Sequence, residues 1–167
     1  MPNMAQAISK HNSKVIKQNQ DRVSYGCNCK KGVASCPLNG VCLTKGVVYE
    51  ATVSRGDNKD DETYTGLTAR CFKTRLNEHT ADFNNQNRKR TYLSKFIWKL
   101  KRGNIHYEIS WKLLQKCPSF NPSTKTCKLC LQEKYLIMFR PEGATLNRRS
   151  EFFATCRHRL KPLLANT

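Results

Sequence analysis

Stretches with a clear hydrophobic period alternate along this chain with stretches that have none. Residues 1–22 are of the second kind: rich in Asn, Gln and Lys, with Ile8, Val15 and Ile16 as aliphatic points, they cannot bury enough surface to fold alone and read as a basic polar tail. Residues 23–45 contain "CNCKKGVASCPLNGVC", again without a helical or strand period, so order there has to come from something other than a core. From Val47 the pattern changes. "VVYEATV" is β-branched and aromatic, and the turn-rich "SRGDNKDDE" separates it from "TYTGL", which predicts an antiparallel hairpin with a long tip.

Beyond the hairpin the period lengthens to that of a helix. With Thr68 as N-cap, Ala69, Phe72, Leu76 and Phe83 form an apolar stripe, and Arg75 and His79, four apart, share the adjacent face. A second helix is predicted over Tyr92 to Arg102, carrying Leu93, Phe96, Ile97 and Leu100 and stopping at Gly103. "IHYEISWKL" then alternates, placing Ile105, Tyr107, Ile109, Trp111 and Leu113 on one face of a strand whose partner should be the hairpin. "TCKLCLQEKYLIMF" reads as an apolar helix with Glu133 as its exception, ending before Pro141, and "LNRRSEFFATCRHRLKPLL" predicts a further helix. The expected fold is α+β: a small three-stranded antiparallel sheet flanked by helices, with zinc-stabilised loop segments, its main domain spanning 46–167.

Charge narrows the partner. Thirty Lys and Arg stand against twelve Asp and Glu, a net +18 that favours a polyanion. Arg88, Lys89, Arg90, Lys95, Lys99, Lys101 and Arg102 form a run that no acidic residue interrupts, and Arg148 and Arg149 add to it, as expected of a surface that tracks DNA phosphates. No apolar run approaches the length of a membrane span, and Met1 to Gln20 has no signal-peptide pattern, so the expectation is an intracellular, nuclear protein with no membrane partner.

Nine cysteines, an odd number without a secretion signal, fit metal thiolates better than a disulfide framework. Cys27, Cys29, Cys36 and Cys42 form one candidate zinc set. Cys127 and Cys130 with Cys156 and His158 form the other, which would pin the Glu133 helix to the C-terminus. The alternative is buried, unligated thiols beside a phosphate-contacting His158. Cys117 could replace a member of the later set, and Cys71 reads as a small core residue.

In order along the chain, Val47-Val48-Tyr49, Tyr64-Thr65-Gly66, Arg75 with His79, Glu133 and Asn147 resemble the motif series of the GIY-YIG nucleases, over about Val47 to Asn147. Val47 stands where the first motif has glycine. The cysteine box and "CRHR" further resemble the C-terminal endonuclease of Penelope-like retrotransposons. The resemblance implies a metal-dependent DNA endonuclease, serving retrotransposon integration beside a reverse transcriptase or element RNA. Tyr49, Tyr64, Arg75, His79 and Asn147 would be its catalytic residues, Glu133 would hold Mg²⁺ or Mn²⁺, and Zn²⁺ would be structural.

Taken singly, Tyr49 and Tyr64 could be strand packing, Arg75 and His79 a solvated face, Glu133 a partner of Lys134 and Asn147 a helix cap, yet the residue types suit the chemistry. Phosphodiester cleavage needs a deprotonated nucleophile and neutralised phosphoryl oxygens; a glutamate can hold a divalent cation, and a guanidinium can fork two phosphate oxygens. A phenol ionises near pH ~10, so Tyr49 can act as base only where a cation or arginine lowers that value, and which group takes the proton stays open. A non-catalytic, zinc-stabilised nucleic-acid-binding module would keep the cysteines and cations but need neither Glu133 nor Arg75.

Overall fold

The computed structural model describes residues 26–30, 32–148, 156 and 158. The tail over residues 1–22 and most of the last expected helix lie outside the described residues. The chain forms two compact units, divided between Leu43 and Thr44.

In the first unit, the described residues contain a 3-10 turn at Val33–Ser35 and otherwise bends and turns. Among its described residues the buried apolar side chains are Cys36, Leu38 and Cys42, too few by themselves for a conventional core.

The second unit is α+β. Strand β1 (Lys45–Arg55) lies between β2 (Glu62–Cys71) and β3 (Tyr107–Lys116) in a three-stranded antiparallel sheet. A second, two-stranded ladder joins β4 (Phe120–Asn121) to β5 (Thr126–Cys127). The helices are α1 (Phe72–Asn84), α2 (Tyr92–Arg102) and α3 (Lys128–Phe139). Among the described residues no helix is long and apolar enough to cross a membrane.

Being central, β1 is covered on both faces. Val47, Val48, Tyr49, Ala51 and Val53 are all fully buried. Val48 joins Cys117, Cys127, Leu129 and Leu136 in a core that α3 closes. Tyr49 packs into an aromatic group with Phe72, His79 and Trp111, with ring centroids 5.2 to 5.9 Å from its own.

Three details at element ends differ from the sequence expectation. Strand β2 continues through Thr68 to Cys71, so α1 begins at Phe72 with Cys71 rather than Thr68 at the N-cap. Pairing overrides the local capping preference there, because Thr68 is buried opposite Val47. Helix α2 stops where expected, at Gly103, yet the left-handed residue is Asn104 (φ 49°). Asn104 N–H donates to Lys101 O and Ile105 N–H to Leu100 O, a Schellman ending in which asparagine takes the usual place of glycine. Ile105 precedes β3; Tyr107, Ile109 and Trp111 alternate with exposed neighbours as predicted, but the alternation breaks at Leu113, where Leu114 is half-buried too.

Candidate active site and metal centres

Tyr49 is brought to the middle of the sheet by β1, and Gly66 pairs with it on β2. A Cβ on Gly66 would stand 2.6 Å from the Tyr49 Oη and 2.9 Å from Tyr64 Cε1. The glycine is therefore what lets the two tyrosines converge over this strand. Tyr64 is buried and edge-on to His79, with centroids 6.3 Å apart.

Helix α1 supplies the other side. His79 Nε2 lies 2.7 Å from Tyr49 Oη, and Arg75 Nε donates to the same oxygen at 3.1 Å. Burial, and then the Arg75 charge, push the imidazole down to about 3, so it is neutral at physiological pH. Burial pushes the phenol up to about 12, outweighing the lowering by Arg75, while the charges of Glu133 and Glu78 add to the rise. At rest the proton stays on Tyr49. With Arg75 as donor to its oxygen, the phenol donates to His79 Nε2 and Nδ1 carries the other hydrogen; Nδ1 is buried with no hydrogen-bond partner among the described residues.

Glu133 occupies the second turn of α3 and is half-buried. Helix α3 buries Leu129, Leu136 and Ile137 but exposes Leu131, Tyr135, Met138 and Phe139. Glu133 is thus less costly there than an apolar-helix reading of the sequence implies. Its charge is felt at Tyr49, which places an oxygen donor suited to a hard divalent cation within electrostatic reach of the phenol.

Asn147 has a different neighbourhood. Its Oδ1 accepts from Thr65 N at 2.8 Å and its Nδ2 donates to Thr65 O at 2.9 Å. Leu146 N also donates to Thr63 O at 2.8 Å. The carboxamide works as a surrogate strand residue on the edge of β2, beside the Tyr64-Thr65-Gly66 motif.

Glu78 was missed in the sequence. Its carboxylate takes Arg75 Nη1 at 3.0 Å on Oε2 and Arg70 Nη2 on Oε1. The signal was the i, i+3 spacing from Arg75 to Glu78. Asp82, also missed, is buried and holds Arg90 through Oδ1 at 2.7 and 3.0 Å.

That pair changes the basic run. Arg90 is committed to Asp82, and Lys101 donates to Phe83 O at 2.6 Å. Trp98 donates to Asp82 O at 2.9 Å, which ties α2 to the end of α1. Arg88, Lys95, Lys99 and Arg102 are exposed and Lys89 is half-buried. Lys95 and Arg148 both lie over the Tyr92 ring, at 4.8 and 4.9 Å. Arg149 lies outside the described residues.

Both expected cysteine sets assemble, the ligand atoms of each lying within 4.8 Å of one another. In the first unit, Cys27 and Cys29 Sγ lie 3.7 and 3.8 Å from Cys42 Sγ. The edge of a tetrahedron with Zn–S arms of ~2.3 Å is about 3.8 Å. Burial raises the Cys36 thiol, but the backbone at Leu38 and Gly40, together with the Cys27 and Cys42 thiols, outweighs it and brings the value down to about 6. Asn39 (φ 49°) and Gly40 (φ 93°) make the turn responsible. Burial and thiol neighbours push Cys42 up. Four thiolates at this spacing repel unless a cation joins them, so the donors fit zinc.

In the second unit, His158 Nδ1 lies 3.2, 3.7 and 3.9 Å from the sulfurs of Cys130, Cys127 and Cys156. These bracket the edge of about 3.6 Å expected for a mixed sulfur and nitrogen tetrahedron. Cys117 does not substitute for a member; it is buried in the core against Val48 and Leu129. Cys71 is half-buried at the N-cap of α1, 3.0 Å from Thr74 Oγ1, rather than in the core.

No protein-family model matches this chain, and no curated protein or solved structure shows significant similarity to it.

Proposed function

We propose that the chain is a metal-dependent DNA endonuclease of the GIY-YIG type, with zinc holding its two cysteine sets. The observation that carries this reading is the Tyr49 hydroxyl bonded at once to Arg75 Nε and His79 Nε2. A buried phenol so placed has an acceptor for its proton on one side and a guanidinium able to hold a phosphate on the other. Its raised pKa means that it acts as a base only with further positive charge nearby. Glu133 would hold Mg²⁺ or Mn²⁺ there, and the ion, when bound, supplies Lewis-acid stabilisation of phosphoryl oxygens. Arg75 holds the phosphate, His79 accepts the Tyr49 hydrogen bond and so orients the hydroxyl, Tyr64 fixes the imidazole edge, and Asn147 keeps the motif strand in register. The exposed Arg88, Lys95, Lys99 and Arg102 track the DNA backbone. Service to a retrotransposon, beside a reverse transcriptase or element RNA in the nucleus, is the narrower form of the proposal.

The test is plasmid nicking by the zinc-loaded protein with Mg²⁺ present or withheld, in the parent and in Glu133→Gln. Withholding Mg²⁺ avoids a chelator that would also strip zinc. Cleavage should require Mg²⁺ and fall about a thousandfold or more in the variant, roughly 4 kcal/mol of lost transition-state stabilisation, with DNA affinity retained. Equal cleavage by parent and variant would remove Glu133 from the site. DNA binding without any cleavage would leave the non-catalytic zinc module, for which the two cysteine sets and the exposed cations suffice.

A further inference from the structure

We infer that Glu78 is the positioning residue of the candidate nuclease site, holding the Arg75 guanidinium in the orientation that meets a phosphate; this rests on the nuclease reading above. A free arginine side chain has rotamer entropy to lose when it is fixed on a ligand. Arg75 is fixed beforehand at two of its three nitrogens. Nε donates to Tyr49 Oη at 3.1 Å and Nη1 to Glu78 Oε2 at 3.0 Å. Two bonds from different edges of a planar group set its plane, and Nη2 is the nitrogen they do not use.

Glu78 is itself held. Its other oxygen takes Arg70 Nη2 from the end of β2, so the carboxylate is strung between the sheet and its own helix. Burial raises its pKa, but the two arginines outweigh that and bring it below the usual range, keeping the carboxylate ionised at neutral pH. Glu78 is three quarters buried, as is Arg75, so the pair is partly shielded from water and salt. Arg70 is 62% exposed, which makes it an anchor for Glu78 rather than part of the buried group. No other carboxylate is seen bonded to Arg75 among the described residues.

The experiment compares the parent with Glu78→Gln, and with Glu78→Asp should the first variant fail to fold. Gln cannot bind both arginines as an ion, and Asp keeps the charge but is one methylene too short to span them. Two readouts are taken on zinc-loaded protein. One is the Arg75 Nε–H correlation signal in NMR, which reports whether that hydrogen is held on Tyr49. The other is single-turnover and steady-state DNA cleavage with Mg²⁺. The expected result is loss or broadening of the Arg75 signal and a fall in kcat of about tenfold to a hundredfold with KM for DNA within about threefold. A residue that merely stabilised the fold would not split kcat from KM. Persistence of the Arg75 signal in the variant overturns the inference, and so does an unchanged kcat when the signal is lost. If the parent itself does not cut DNA, the nuclease reading fails. The signal then still decides whether Glu78 holds Arg75.

Discussion

The cysteine unit and the tyrosine site gather polar atoms at similar spacing by opposite means. Around Cys42 the sulfurs approach to 3.7 and 3.8 Å in a segment whose described residues bury few apolar side chains, and as thiolates at this spacing they would repel one another. Around Tyr49 the donors and acceptors satisfy one another, and they are held by the central strand, a helix and an aromatic group. One arrangement waits on an ion for its order. The other is ordered by the fold alone. The second cysteine set lies between these cases, since its zinc donors rest on the core that includes Val48, Leu129 and Leu136.

Removing zinc should break the contrast most widely. Structural zinc in small modules contributes apparent binding free energies of about 10–16 kcal/mol at neutral pH, nearly all of it folding energy. Chelation should therefore unfold residues 26–43 entirely, while the three-stranded sheet survives and loses only the tether between α3 and residues 156 and 158. Amide exchange read element by element is the measurement. Protection that persists over Cys36 to Leu43 after zinc is gone would show that this segment does not depend on metal.

Acid should act on the tyrosine site through His79. Its folded value of about 3 is below the ordinary imidazole value of 6.5, so the unfolded chain binds a proton between these limits and the folded one does not. Stability is unaffected above about pH 6.5, falls as pH drops from there toward about 3, and levels off below. At pH 4.5 the loss is on the order of 3 kcal/mol. His79→Gln cannot titrate, so its stability should decline less over the same window in denaturant melts. Equal declines would mean that the imidazole is not held neutral.

Gly66→Ala gives the smallest effect and the sharpest localisation. Its methyl would meet Tyr49 Oη at 2.6 Å and Cζ at 2.7 Å, so the tyrosine has to shift. We expect a cost of about 1–3 kcal/mol in the sheet unit, loss of the Tyr49–His79 bond, and no change in zinc content. A variant as stable as the parent, with the bond intact in its structure, would show that the two tyrosines do not need glycine to converge.

How much of this was legible beforehand depends on the range of the interaction. Arg75 and His79 were readable as a pair because four residues on a helix fix their spacing, and Glu78 could have been read the same way. Cys27 to Cys42 lie close enough in the chain to be read as a set. The pairing of Arg90 with Asp82 was not legible, because the run from Arg88 to Arg102 contains no acid and the partner lies on the preceding helix. Asn147 was expected near the site. That its carboxamide pairs with the backbone of Thr65 follows only from where the segment after α3 crosses the sheet.

The sequence by itself determined the class of the fold, the hairpin and the three helices, and the residues able to bind metal, since hydrophobic period and side-chain chemistry are local properties. Only the tertiary structure decided where β2 ends, which cations are already engaged, and which way the pKa values of Tyr49 and His79 move. The physical reason is that pairing, charge neutralisation and burial are set by neighbours distant in sequence. Thr68 could cap a helix in isolation, but opposite Val47 it belongs to a strand. Tyr49 would ionise near its ordinary value in water, but against Phe72 and Trp111 burial outweighs the adjacent arginine.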